Sequence, residues 1–189
     1  VAHAFPEMDP KAGVLVCAVA LCSLHMAYGW HPEQVVANAL FADGAAAVVA
    51  SVNPSPTHQT LALRRSGSMV IPNSSDLMHW EIGDHGFAMG LSPLVPETVG
   101  AALLPWLRDW LKEQAIDLEA VTSWAVHPGG PKILSTCAEV LSLDPGLLHE
   151  SRGILQDHGN MSSATILFIL ERLRRRHQSG PCLALAFGP

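Results

Sequence analysis

Apolar positions along the chain follow two periods. Val14–Leu21 (V-L-V-C-A-V-A-L) is apolar without a break, with valines at alternate places and Gly13 before it. This predicts a buried parallel strand, since a strand covered on both faces shows no polar side. Ala45–Val52 predicts a second strand of small residues, whose three leading alanines let another backbone press close. Trp124–Val126 predicts a third strand, and Cys182–Phe187 a last one, cut short at Gly188-Pro189. A helical period governs most of the remainder. Pro32–Leu40 carries Val35, Val36, Ala39 and Leu40 on one face, and Pro32 suits the fixed φ of a first turn. Glu97–Ala115 repeats Val99, Leu103, Trp106, Leu107, Trp110 and Leu111, with Pro105 predicting a kink or break. Pro131–Leu141, Leu147–Gln156 and Met161–His177 predict three more helices. Thr60–Arg64, Met69–Ile71, His79–Ile82 and Phe87–Leu91 predict a set of antiparallel hairpins. Phe41–Gly44 and Asp157–Asn160 predict turns, Pro54–Pro56 a loop, and Val1–Phe5 the tail of a helix stopped at Pro6. The order is α/β with antiparallel decoration.

Composition narrows this picture. The chain of 189 residues is 49% hydrophobic and 15% charged, with a mean hydropathy of +0.25, more apolar than an ordinary domain. Either the sheet is densely buried, or part of this surface is covered by something outside the chain. Val1 is not an initiator methionine and no signal peptide is visible, so the chain is expected to start within a longer one. The net charge of -6 and the lack of a long basic run argue against nucleic-acid binding. Arg172, Arg174, Arg175 and Arg176 cluster where a helix ends, a place that favours cations. Cys17, Cys22, Cys137 and Cys182 show no metal spacing and are expected to be buried thiols of a reducing, cytoplasmic compartment. His79 and His85 lie six apart, which fits no common zinc pattern, and no metal site is expected. No apolar run reaches the roughly 18 residues of a membrane span.

Two turns carry candidate chemistry. The strand at Trp124–Val126 runs into His127-Pro128-Gly129-Gly130 and then a helix at Pro131. An imidazole at a strand end, facing a helix start across glycines, is a place where α/β enzymes put reactive groups. On the local pattern alone, an ordinary strand-to-helix connection that happens to carry a histidine is the simpler reading. Gly159-Asn160-Met161-Ser162-Ser163-Ala164 repeats the design, with Asn160 in a turn before a long helix. Asn160 fits either a cap residue or a fixed amide donor that, with His127 Nε2–H, stabilises an oxyanion.

These two blocks, Val126-His127-Pro128-Gly129-Gly130-Pro131-x-Ile133-Leu134 and Gly159–Ala164, resemble the chalcone and stilbene synthase family, the type III polyketide synthases. Phe41-x-Asp43-Gly44-Ala45-Ala46-Ala47 is similar to another block of that family, and Phe187-Gly188-Pro189 to the start of its glycine-rich loop. Leu21-Cys22-Ser23-Leu24-His25 and Trp80-x-Ile82-Gly83-Asp84-x-Gly86-Phe87 resemble the bacterial branch. The matches lie in order over nearly the whole chain.

The resemblance implies a thiolase-like layered αβαβα fold. Residues 1–66 would be the tail of the first half, and 67–189 the second half, truncated before its last strand. It implies a homodimeric acyltransferase that takes an acyl-CoA starter onto a cysteine, decarboxylates malonyl-CoA and joins the two. Coenzyme A thioesters are then substrates, and no cofactor is expected. By the resemblance His127 and Asn160 are catalytic, holding the thioester oxygen during decarboxylation. His127 also supports the thiolate, as an imidazolium lowers a thiol pKa. Gly129, Gly130, Lys132, Phe187 and Gly188 fall at the coenzyme A and loop positions, and Met26 and Met89 near residues that guard the cavity. Methionine is flexible enough to admit a long acyl chain there, although two core methionines explain the pattern as well. Ala20 stands where relatives often carry glutamate. The family's nucleophile motif is not matched by any of the four cysteines and is expected upstream, so the isolated chain is expected to be inactive. Two alternatives stand beside this reading. One is a β-ketoacyl carrier-protein synthase, whose histidine segment usually lacks Pro-Gly-Gly. The other is a non-catalytic thiolase-like partner.

Overall fold

The computed structural model describes residues 12–53, 60–84, 86–176 and 180–188. Within them, β1 (Val14–Ala20) and β2 (Gly44–Ala50) form an antiparallel pair, linked by a 3₁₀ turn at Cys22–His25 and helix α1 (Pro32–Leu40). Strands β3 (Met78–Gly83) and β4 (Gly86–Leu91) form an antiparallel hairpin. Helix α2 (Val95–Glu113) leads to β5 (Ser123–Val126), followed by α3 (Pro131–Val140), α4 (His149–His158), α5 (Thr165–Arg175) and β6 (Cys182–Leu185). β6 returns parallel to β5, in register Ser123 with Cys182 through Val126 with Leu185.

β5 organises the second half. All four of its residues are buried. Successive side chains of a strand point to opposite faces, and here both faces are covered. Trp124 and Val126 join Leu103, Leu107, Leu134 and Cys137 in a core under α2 and α3. Ala125 faces the other way, into a core with Ile154, Met161, Ala164, Ile169 and Leu173. A small residue at position 125 lets α5 lie close to the sheet. Each large side chain fully buried here, such as Leu107 or Leu134, stabilises the fold by about 1.5–3 kcal/mol.

Several expectations need correction. β1 is antiparallel to β2 and only half-covered: Leu15, Cys17 and Val19 face outward on alternate positions. An unbroken apolar run does not fix strand direction, and the second face of this one has no cover among the described residues. Residues 60–71, expected to form two strands, run without secondary structure, because no ladder partner lies beside them among the described residues. Pro105 neither breaks nor ends α2, which continues from Val95 to Glu113. Pro105 and Ala101, whose carbonyl loses its helical donor, both lie on the exposed face, so the freed group is open to solvent rather than buried. The long last helix begins as a 3₁₀ turn at Ser162–Ala164 before α5 proper. Of the four cysteines only Cys137 is buried, its thiol pushed up to about 12 by burial; Cys17 and Cys182 are exposed. The apolar excess sits partly on the surface, with Tyr28 and Trp30 almost wholly exposed. The readings placed on Val1–Phe5, Pro54–Pro56, His85, His177 and Pro189 lie outside the described residues.

Candidate active site

His127 follows the last residue of β5. Its backbone N–H donates to Leu185 O at 2.8 Å, extending the β5–β6 ladder by one bond, and Gly129 N–H donates back to His127 O at 3.1 Å. The backbone of His127 is therefore fixed at the sheet's end rather than on a loose loop. Burial holds the imidazole pKa below the ordinary histidine value, which favours the neutral ring. Behind it, Val126 N–H donates to Ser151 Oγ of α4 at 3.1 Å, in a wholly buried contact. That hydroxyl takes the place of a neighbouring strand. Gly130 is buried at the start of α3, within ordinary contact distance of Leu40.

Asn160 is held to the same turn. Its Oδ1 accepts from Ser162 N–H at 2.9 Å, and its Nδ2 lies 3.5 Å from Gly129 O, two residues beyond His127. An amide nitrogen carries two N–H donors, so one remains for another acceptor. The backbone is clamped as well: Asn160 N–H donates to Leu40 O at 2.8 Å and Ala42 N–H donates to Asn160 O at 2.9 Å, a parallel bridge centred on Phe41. The segment expected to be a plain turn at 41–44 is thus the piece that joins the first part of the chain to this site. Gly159 adopts φ 75°, where a Cβ would meet Ala42 and Leu40 O, and Ser162 adopts φ 52°. Non-glycine residues reach that region at a cost and often at functional turns.

A groove of about 100 Å³ adjoins the clamp. It is lined by Met26 and Met89, the two methionines singled out in the sequence, together with Cys22, Phe41, Ala42 and Trp80. Ala42 both lines it and bonds Asn160, so groove and turn are continuous. Asp43 accepts from Ser23 N–H and Ser23 Oγ, each at 2.7 Å, which ties the Cys22–His25 turn down and holds the Asp43 carboxyl below its usual pKa. Burial first, and the Asp43 charge second, push the Cys22 thiol up. The other sequence candidates are more dispersed. Lys132 is exposed on the first turn of α3, Phe187 packs partly against the α2–α3 core, and Gly188 is open to solvent. A wider depression of about 450 Å³ beside Arg108, Lys112 and Asp117, at the far end of α2, contains none of the candidate residues.

The family model described as "Chalcone and stilbene synthases, C-terminal domain" matches residues 62–189. The chain belongs to the chalcone and stilbene synthase family. It is similar to 1,3,6,8-tetrahydroxynaphthalene synthase of Streptomyces peucetius subsp. caesius, 32% identical over 192 residues, covering 99% of this chain and 51% of the relative. It is similar to the alpha-pyrone synthesis polyketide synthase-like Pks18 of Mycobacterium tuberculosis, 28% identical over 194 residues, covering 98% of this chain and 49% of the relative. Among solved structures, PKS-I of the brown alga Ectocarpus siliculosus superposes with a TM-score of 0.87 at 27% identity, covering 93% of this chain and 47% of that one. The tetrahydroxynaphthalene synthase of Streptomyces coelicolor, a bacterial type III polyketide synthase, superposes at 0.85 with 32% identity, covering 93% and 49%. The chain spans about half the length of these relatives. The fold is thiolase-like αβαβα, as the sequence blocks implied.

Three residues beside this candidate site escaped sequence reasoning. Ser151 and the Phe41 bridge act through backbone groups, and no local sequence pattern pointed to either. Trp80 was read as part of a motif, with no signal that it faces the methionines.

Proposed function

We propose that this chain carries the histidine and asparagine of a type III polyketide synthase. Residues 1–66 end its first half and 67–189 form most of its second. The supporting observation is the position of Asn160 Nδ2 against the carbonyl of Gly129, in the turn that begins at His127, whose buried imidazole is held toward its neutral form. Neutral donors suit a charge that forms and vanishes. The C–C bond to the malonyl carboxylate breaks, CO₂ leaves, and the electron pair passes to the thioester oxygen as an enolate. That oxygen lies between His127 Nε2–H and Asn160 Nδ2–H. The enolate carbon then attacks the acyl thioester on a cysteine outside this chain; a C–C bond forms and the thiolate departs. A donor already fixed in place costs no reorganisation when the charge appears. Gly129 and Gly130 allow close approach of the pantetheine arm, with Lys132, Phe187 and Gly188 at its margin. The Met26–Met89 groove receives the growing acyl chain. Coenzyme A thioesters are the substrates with no further cofactor, a second copy of the protein is the partner, and the cytoplasm is the compartment.

Loading the complete protein with a radiolabelled acyl-CoA starter tests this. The expected result is a label on a cysteine and consumption of malonyl-CoA without any carrier protein. A strict requirement for an acyl carrier protein would instead place it with the β-ketoacyl synthases. An unlabelled protein would make it a non-catalytic thiolase-like partner.

A further inference from the structure

The free edge of β4 is held by side chains from elsewhere in the chain. In the register of the hairpin, Trp80 pairs with Met89, so Phe87, Met89 and Leu91 share one face and turn their N–H groups away from β3. Phe87 N–H donates to His25 Nδ1 at 3.3 Å, and Leu91 N–H donates to Glu33 Oε2 at 3.1 Å. Both acceptors are remote in sequence. His25 ends the 3₁₀ turn after β1, and Glu33 lies in the first turn of α1. Met89 sits between the two clips. It is the one buried residue of β4, and its side chain lines the groove opposite Met26. His25 reinforces its end by an edge-on contact with the Phe87 ring, centroids 4.9 Å apart, and a tilted one with Trp80 at 5.9 Å.

An edge strand whose outward N–H groups lack partners is free to shift, bulge or fray. Two acceptors, one on each side of Met89, fix both ends of the segment that carries it. Glu33 does not itself line the groove, although its neighbour Gln34 does, and its side-chain hydrogen bond to β4 reaches that space through Leu91. We infer that Glu33 and His25 are positioning residues that clip the β4 edge, set how far Met89 projects into the groove, and thereby limit the length of acyl chain the groove admits. The functional part of this inference rests on the proposed condensing activity; the clip itself does not.

The test uses the complete protein with Glu33→Ala and Glu33→Gln, hexanoyl-CoA and dodecanoyl-CoA as starters, and malonyl-CoA decarboxylation without starter as the control. Gln keeps an acceptor oxygen but loses the charge that favours a helix start. The dodecanoyl to hexanoyl ratio of kcat/KM should rise about fivefold or more in Glu33→Ala, the factor that corresponds to losing one hydrogen bond of ordinary net strength. It should stay within about twofold of wild type in Glu33→Gln, where the acceptor is kept. Decarboxylation should be equal in all three. Amide hydrogen exchange provides a readout free of activity: Leu91 N–H should exchange at least about tenfold faster in Glu33→Ala, with α2 amides unchanged. If Glu33→Ala does not fold, Glu33→Asp, shorter by one methylene, should show the same rise. An unchanged starter ratio with intact decarboxylation would overturn the inference, as would unchanged Leu91 exchange or a Gln variant that behaves like Ala. Wild-type protein that does not decarboxylate malonyl-CoA overturns the functional reading instead, and the clip is then judged on exchange alone.

Discussion

His127 owes its chemical state to where the backbone leaves it. Burial disfavours the charged ring and lowers its pKa from the ordinary value. The sign of the linkage follows. The unfolded chain binds the proton more readily, so stability is complete above the unfolded pKa of about 6.5 and is lost as pH falls through the folded one. An NMR titration of the imidazole should show a midpoint below about 6.5; a midpoint above it would mean a charged partner has replaced burial as the dominant influence. Gly159 is the second residue on which the site turns. Its φ of 75° and the closeness of Leu40 O leave no room for a side chain. Gly159→Ala should cost about 1–3 kcal/mol in denaturant unfolding. It should also lower malonyl-CoA turnover in the complete protein, because the strain displaces Asn160. The histidine and the asparagine themselves were visible in the sequence, each as a polar residue in a glycine turn. That the asparagine amide lies against Gly129 depends on a contact between residues 31 apart in the chain, which no local pattern encodes.

Among the elements, those stabilised by their own periodicity were the most legible. The helix at Pro32–Leu40 and the hairpin at Met78–Leu91 stand where the alternation of apolar positions put them. Elements whose state depends on a neighbour were not legible. β1 has the composition of a strand covered on both faces but is covered on one, and residues 60–71, expected to hold two strands, have no ladder partner among the described residues. The Arg172–Arg176 cluster, read as cations at a helix end, is also a set of ion pairs. Arg174 and Arg175 both bind Glu171, holding its carboxyl down to about 2, while Arg172 binds Asp157. Arg176 reaches the buried Glu150 at 2.6 Å, joining the end of α5 to the start of α4. The exposed pairs add little to stability. The buried contact between α4 and β5 matters more. Ser151→Ala leaves Val126 N–H without its acceptor in a dry interior, and should cost about 1–3 kcal/mol. Thermal or urea unfolding measures this, and a loss well below that range would show that water or a backbone shift replaces the hydroxyl.

At the scale of the molecule, the site is a meeting of distant segments. The end of β5, the turn before α5 and the link between α1 and β2 converge on Asn160, and the groove under the β3–β4 hairpin opens beside them. No single element contains the chemistry, which is why the sequence blocks gained meaning only together and in order. In the proposed reaction His127 and Asn160 act as a pair of donors on one thioester oxygen. The direct measurement is malonyl-CoA decarboxylation by the complete protein carrying His127→Ala or Asn160→Ala, with folding checked by circular dichroism. Each substitution should lower the rate by about 100-fold or more, the usual cost of removing one such donor. The double variant should fall little further than the worse single one, since the two act on the same charge. Folded single variants that decarboxylate at the wild-type rate would contradict the claim.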